Sequence, residues 1–192
     1  LTFNYDTLNS RLRPSRGETV SWTTEFAGLG GDVKYVRSRA RAAKYWPVGA
    51  GFIFSVTGEG GWIRSLEDNS VAGQDDVRLT DRYFLGEPQM RGFDIRGVGP
   101  RIVRLQYLIA DGDDATPLLQ QPIEEALASD QRVDDALGGK AYYLGRAELE
   151  IPLGSGAREM GLRPSIFLDV GSLFSVTQPV LQDYPNGLQA TD

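Results

Sequence analysis

An all-β, antiparallel fold is predicted by three features of this sequence. Polar and apolar residues alternate with period two over at least six stretches, the mark of strands whose two faces meet different surroundings. The chain carries 23 Gly and 10 Pro in 192 residues, which is enough to end each alternating stretch in a turn. No apolar run approaches the roughly 18 to 20 residues that a membrane-spanning helix needs, and the longest, Val48 to Val56, is broken by Gly and Ser.

The elements follow in chain order. Leu1, Phe3 and Tyr5 share a face opposite Thr2, Asn4 and Asp6. Arg13-Pro14-Ser15-Arg16-Gly17 reads as a turn, because Pro cannot donate to a ladder and Gly tolerates positive φ. Val20, Trp22, Thr24 and Phe26 then oppose Ser21, Thr23 and Glu25, and Ala27 to Asp32 makes the next turn. Between Tyr35 and Ala43, Arg37, Arg39 and Arg41 face away from Val36, Ser38, Ala40 and Ala42. A turn is expected at Trp46-Pro47-Val48-Gly49, followed by Phe52, Phe54 and Val56 against Ile53, Ser55, Thr57 and Glu59. The interval from Ile63 to Gly139 breaks this rhythm, with two short apolar stretches among much Asp, Gly and Pro. Loops of that length in a compact domain are usually functional or disordered. Within it, Pro117 to Ser129 is expected to form a short helix, with Pro122 suited to the first turn and Glu124 and Glu125 complementing the dipole. A fifth strand sets Tyr143, Gly145, Ala147, Leu149 and Ile151 against Tyr142, Leu144, Arg146, Glu148 and Glu150, and a sixth sets Ile166, Leu168 and Val170 against Ser165, Phe167, Asp169 and Gly171.

Composition removes whole classes of function. With no Cys and no His, the chain has no zinc site of the usual kind, no disulfide framework, no thiol nucleophile and no triad with an imidazole base. A net charge of −6 argues against a nucleic-acid partner, since such domains concentrate Lys and Arg. Neighbouring carboxylates such as Glu124-Glu125 and Asp134-Asp135 point apart in a strand or helix and do not straddle a substrate. No P-loop, dinucleotide fingerprint or G-x-S-x-G is present, so no enzymatic activity and no cofactor is expected. The acidic stretch from Asp111 to Asp135 lacks the pattern of a calcium loop and reads as a solvated excursion, so no metal site is expected. Leu1 opens directly into alternating sequence, without the charged start and apolar stretch of a signal peptide.

Alternation alone leaves two architectures open. A soluble β-sandwich binding module would turn its charged strand faces to water, whereas a membrane β-barrel would turn them into a wet lumen. Three arginines on one strand face, with Glu25 and Glu59 on the presumed neighbours, suit cross-strand pairing inside a lumen. Tyr5, Trp22, Tyr45, Trp46 and Trp62 lie near strand ends, where interfacial aromatics collect.

More specific residues lie in the long interval. Met90-Arg91-Gly92-Phe93, followed by Gly97-Val98-Gly99-Pro100, resembles the RGF motif and glycine-rich sequel in the sixth extracellular loop of the BamA family of outer-membrane protein assembly factors. The resemblance continues in Asp135 to Tyr143 with Gly138-Gly139, in Ala147 to Pro152, in Phe167 to Phe174, in the opening Asp6 to Gly17 hairpin and in Gly28 to Lys34. Where the family often has Gly-Gly before the motif, this chain has Gly86-Glu87-Pro88. The translocation and two-partner secretion branches share the RGF-type loop, while Gly138-Gly139 ahead of the Ala147 to Pro152 strand favours the BamA branch.

This resemblance implies that residues 1–192 are part of a sixteen-stranded outer-membrane barrel, covering about six strands, with an extracellular loop at about 64–139. It further implies that POTRA domains, the first seven strands and the last three lie outside the chain. Its implied work is folding and inserting β-barrel clients into the outer membrane of a Gram-negative bacterium. The implied partners are those clients, accessory lipoproteins met through the absent domains, and the lipid bilayer. At the site, the resemblance implies that Arg91 folds into the lumen and pairs with Glu148 and Asp169. Gly92 is expected to allow close approach to the wall, and Phe93 to lie beside the pair.

Overall fold

Strands with one apolar and one mixed face form a single meander here, and a loop is laid across the mixed face. A computed structural model of the protein describes residues 1–28, 33–67, 75–104, 133–153 and 162–177. In chain order its strands are β1 (Thr2–Asp6), β2 (Gly17–Ala27), β3 (Tyr35–Gly49), β4 (Phe52–Ser65), β5 (Arg101–Arg104), β6 (Val133–Ala136), β7 (Ala141–Glu150) and β8 (Ser165–Phe174). Six of them form one antiparallel sheet in the order β1-β2-β3-β4-β7-β8, while β5 and β6 pair apart as a short ribbon inside the long interval. Among the described residues there is no α-helix, and a single 3₁₀ turn spans Leu79–Asp81. The helix expected at Pro117 to Ser129 lies outside the described residues.

Register decides which side chains share a face. Trp22 stands opposite Ala40, Ala40 opposite Gly60, and Gly60 opposite Tyr143. Two residues along, Val20, Ala42, Gly58, Gly145 and Val170 make the next row. Since a slip of one residue would exchange the faces, these rows put Phe3, Trp22, Phe54, Val56, Ala147, Leu149 and Leu168 on one side, with Glu25, Arg39, Glu59, Glu148 and Asp169 on the other. The apolar side is open, with Leu168 63 % exposed and Trp22 55 % exposed. All three tryptophans lie on it: Trp22 and Trp62 toward the loop end of the sheet, Trp46 toward the turn end, where its ring stacks on Phe54 at 5.8 Å. Glu18, Thr24, Lys44 and Arg64 share this side, and Ser38 is the buried polar residue on it. Trp22 Nε1 donates to its Oγ at 2.8 Å and the Thr24 hydroxyl lies 3.3 Å away, so the buried hydroxyl is satisfied within the sheet.

Two expectations need correcting. Trp46-Pro47-Val48-Gly49 is not a turn but the end of β3, and the chain reverses at Ala50-Gly51. The ladder tolerates Pro47, which lacks an N–H, because the register shifts between Pro47 and Gly49. The strands are also longer than their alternating cores, β4 running on through Gly60 and Gly61 to Ser65.

On the polar side the long interval folds back and supplies the core. Val77, Tyr83, Leu85 and Met90 from the interval pack on Ile63, Tyr142 and Leu173 from the sheet, and all seven are buried. Two bridges, Tyr83 with Gly139 and Leu85 with Val98, hold the segment in an extended path. Gly61 is a point of close approach, where a Cβ would stand 2.6 Å from Tyr142 Cε1 on the neighbouring strand and 3.0 Å from the Tyr83 ring in the loop.

Candidate functional site

The loop core delivers Met90, and with it Arg91, to the polar face between β7 and β8. There the two strands make a checkerboard, with Arg146 opposite Asp169 and Glu148 opposite Phe167. The Arg91 guanidinium meets Asp169 as a fork on a fork, Nε at 3.1 Å from Oδ2 and Nη2 at 3.1 Å from Oδ1, and its Nη1 lies 3.2 Å from Glu148 Oε2. The Arg91 backbone N–H also donates to Asp169 Oδ2 at 3.2 Å. From the other side, Arg146 places Nε at 2.8 Å from Oδ1 and Nη2 at 3.1 Å from Oδ2 of the same carboxylate, and its Nη2 donates to the Gln89 carbonyl at 2.8 Å. Two guanidiniums thus face two carboxylates, so the cluster is neutral as a unit. Charge-assisted, two-pronged contacts of this kind fix direction as well as distance. The Asp169 side chain is only 4 % exposed, so its charge depends on these partners for solvation.

Two readings of the motif's neighbours change. Phe93 is 44 % exposed, and the ring under the Arg91 guanidinium is that of Phe167, whose centroid is 3.3 Å from Cζ. Gly92 does not serve close approach, since a Cβ there would meet nothing within 4 Å; what calls for glycine is its φ of +85°.

Beside this cluster the arginine row of β3 has its own acids. Glu59 lies 3.5 Å from Arg41 and 4.0 Å from Arg39, and it accepts the Tyr142 hydroxyl at 2.6 Å. Arg37 lies 3.7 Å from Glu25 and donates to the carbonyl of Asp81 in the loop. The Arg37 and Arg39 guanidiniums stand 5.6 and 5.5 Å from the Tyr83 ring centre, whose hydroxyl donates to the Ser38 carbonyl at 3.0 Å. The row therefore grips the loop as well as pairing across strands. Arg41, Glu59, Gln89 and Arg146, with Pro88 and Leu144, also line an open cavity of about 230 Å³.

The Omp85 superfamily domain matches residues 1–188. The chain belongs to the Omp85 superfamily. That membership decides between the two architectures left open by composition: these are antiparallel strands of a β-barrel that crosses a membrane. Outer membrane protein assembly factor BamA of Neorickettsia risticii (strain Illinois) is 31 % identical to this Omp85 domain over 180 residues, which is 88 % of the chain and 18 % of that protein. Sorting and assembly machinery component 50 homolog of Mus musculus is 27 % identical over 174 residues, 88 % of the chain and 29 % of the relative. The chain thus spans less than a third of either. Among solved structures, BamA from Haemophilus ducreyi lacking POTRA domains 1–3 shares the fold with a TM-score of 0.66 at 21 % identity, over 91 % of this chain and 29 % of that one.

Sequence reasoning missed several residues of the Omp85 site. Arg146 was visible only as one more charge on a polar strand face, and the signal that it belongs to the cluster is its register opposite Asp169. Tyr83, Arg82 and Asp75 lie in the arrhythmic interval, where no periodicity marks an inward side chain.

Proposed function

We propose that this chain forms a braced wall of an outer-membrane barrel that folds and inserts other β-barrel proteins. The observation that carries the reading is the loop arginine held bidentate by Asp169, with Glu148 on its remaining nitrogen. A loop tied this firmly to two neighbouring strands stiffens one side of a barrel, leaving deformation for client insertion to the rest of the circumference. In this reading the interval of about 64–139 faces the cell exterior, and POTRA domains and the remaining strands belong to the same protein. Accessory lipoproteins are met through those other parts. The arrangement works by positioning, with neither an enzymatic step nor a cofactor.

A Gram-negative outer membrane is the proposed location, supported by the higher identity to the bacterial assembly factor than to the mitochondrial-type relative. The same similarity, together with Gly138-Gly139 ahead of β7, favours the assembly branch over the translocator branch. The test is insertion of an unfolded β-barrel client into lipid vesicles containing the full-length protein. Insertion well above that of protein-free vesicles is expected, with a several-fold loss for Arg91→Ala. Parent protein that inserts no faster than bare lipid would end this reading.

A further inference from the structure

The loop is also held at the end of β7 and β8, well away from the Arg91 cluster. Asp75 is the centre of that second attachment, and at 1 % its side chain is more enclosed than Asp169. Its Oδ2 accepts the N–H of Thr177, just past β8, at 2.8 Å, and its Oδ1 accepts the N–H of Val77 at 3.1 Å. Lys140, the residue before β7, places Nζ at 3.3 Å from Asp75 Oδ1 and 2.7 Å from Asp76 Oδ1. Arg82 approaches Asp75 at 3.7 Å, while its other nitrogens hold the carbonyls of Val77 at 3.1 Å and Leu137 at 2.9 Å. One carboxylate therefore joins the loop, the start of β7 and the exit of β8.

None of these groups touches Arg91, yet the two attachments are mechanically connected. Between them the chain runs through Val77, Tyr83, Leu85 and Met90, each 5 % exposed or less and seated against the sheet. Close-packed segments shift as units, so where Asp75 sits decides where Met90 and Arg91 arrive. We propose that Asp75 is a positioning residue, the latch that sets the path of the loop along the sheet and so brings Arg91 onto Asp169. Carboxylate is suited to the task because both oxygens accept from several directions at once, whereas an amide offers one acceptor oxygen and turns two donors toward cations.

This inference builds on the brace reading above, and its test is chosen so that each can fail alone. The reporter is the Arg91 amide, which donates to Asp169, followed by hydrogen exchange in the full-length protein in detergent. Asp75→Asn should speed exchange at Arg91 by about tenfold or more, as expected when a locally cooperative unit opens. Asp75→Glu should restore part of the protection, and heat-modified electrophoretic mobility should report an intact barrel in both. Lys140→Gln is the second variant, should Asp75→Asn fail to give a folded barrel, and it should speed Arg91 exchange in the same direction. Unchanged exchange at Arg91 in a folded Asp75→Asn protein, with acceleration confined to Val77, would overturn the latch. So would unchanged exchange in Lys140→Gln, were that the only folded variant. Loss of client insertion with normal exchange at Arg91, or the reverse, separates the latch from the proposed function.

Discussion

Asp169 is served by two guanidiniums, and that sharing shapes what its mutants should do. Removing Arg91 leaves Arg146 on the carboxylate, while removing Asp169 strips both arginines of a partner. Breaking such a partly buried group costs roughly 3 kcal/mol, and the loss should be greater for Asp169→Ala than for Arg91→Ala. Combining the two should be markedly less than additive in heat-induced unfolding of the full-length barrel; simple additivity would show that the residues are not coupled. Arg91→Lys should recover only part of the loss, because a point charge cannot engage Asp169 and Glu148 as a fork does. Of this site, Arg91, Glu148 and Asp169 were legible because the resemblance of the loop motif to its family implies their pairing, and two strand patterns set both acids on polar faces. Arg146 and Phe167 were not, since their membership depends on a cross-strand register that no local stretch of sequence encodes.

Among the elements, the paired strands were readable and the loop was not, for a physical reason. Period two survives wherever one face is apolar, so faces could be assigned residue by residue. The interval packs through scattered contacts, and β5 and β6 have only four residues each, too short for alternation to stand out. Its dependence on the sheet yields two predictions. Gly61→Ala should push Tyr83 off β4 and destabilise the docked loop by about 1–3 kcal/mol through overpacking, read as earlier proteolytic cleavage of the interval. The pH prediction follows from Asp75. Burial pushes its carboxyl up, but the hydrogen bonds from Thr177 and Val77, with the Arg82 charge, outweigh it and hold the group well below the usual carboxylate range. A depressed value in the folded state means that its stabilisation is present above the unfolded value of about 3.9, and is lost as pH falls through the folded value. Loop protection should therefore stay level from neutral pH to about pH 5 and decline only in stronger acid, and Asp75→Asn should remove the part of that acid dependence carried at this end of the loop. A decline centred near pH 6 would contradict this account.

At the scale of the whole molecule, β1 and β8 are each paired on one side only among the described residues, and one face of the sheet is open and apolar. In plain buffer, the 192-residue chain alone should aggregate through those edges and that face, and size-exclusion chromatography with and without detergent measures it. A monodisperse monomer without detergent would count against the barrel assignment. The placement of the tryptophans has a further consequence. All three indoles sit on the lipid side, whereas Tyr35, Tyr83 and Tyr142 sit on the side covered by the loop. Ala40, opposite Trp22, and Trp46 are separated along β3 by roughly 20 Å at the rise of a strand. Emission from these three indoles, excited at 295 nm, therefore samples the bilayer at two depths and reports nothing from the loop-covered face of this wall, so bromine atoms carried at chosen acyl positions would gauge how deeply each end of it is immersed.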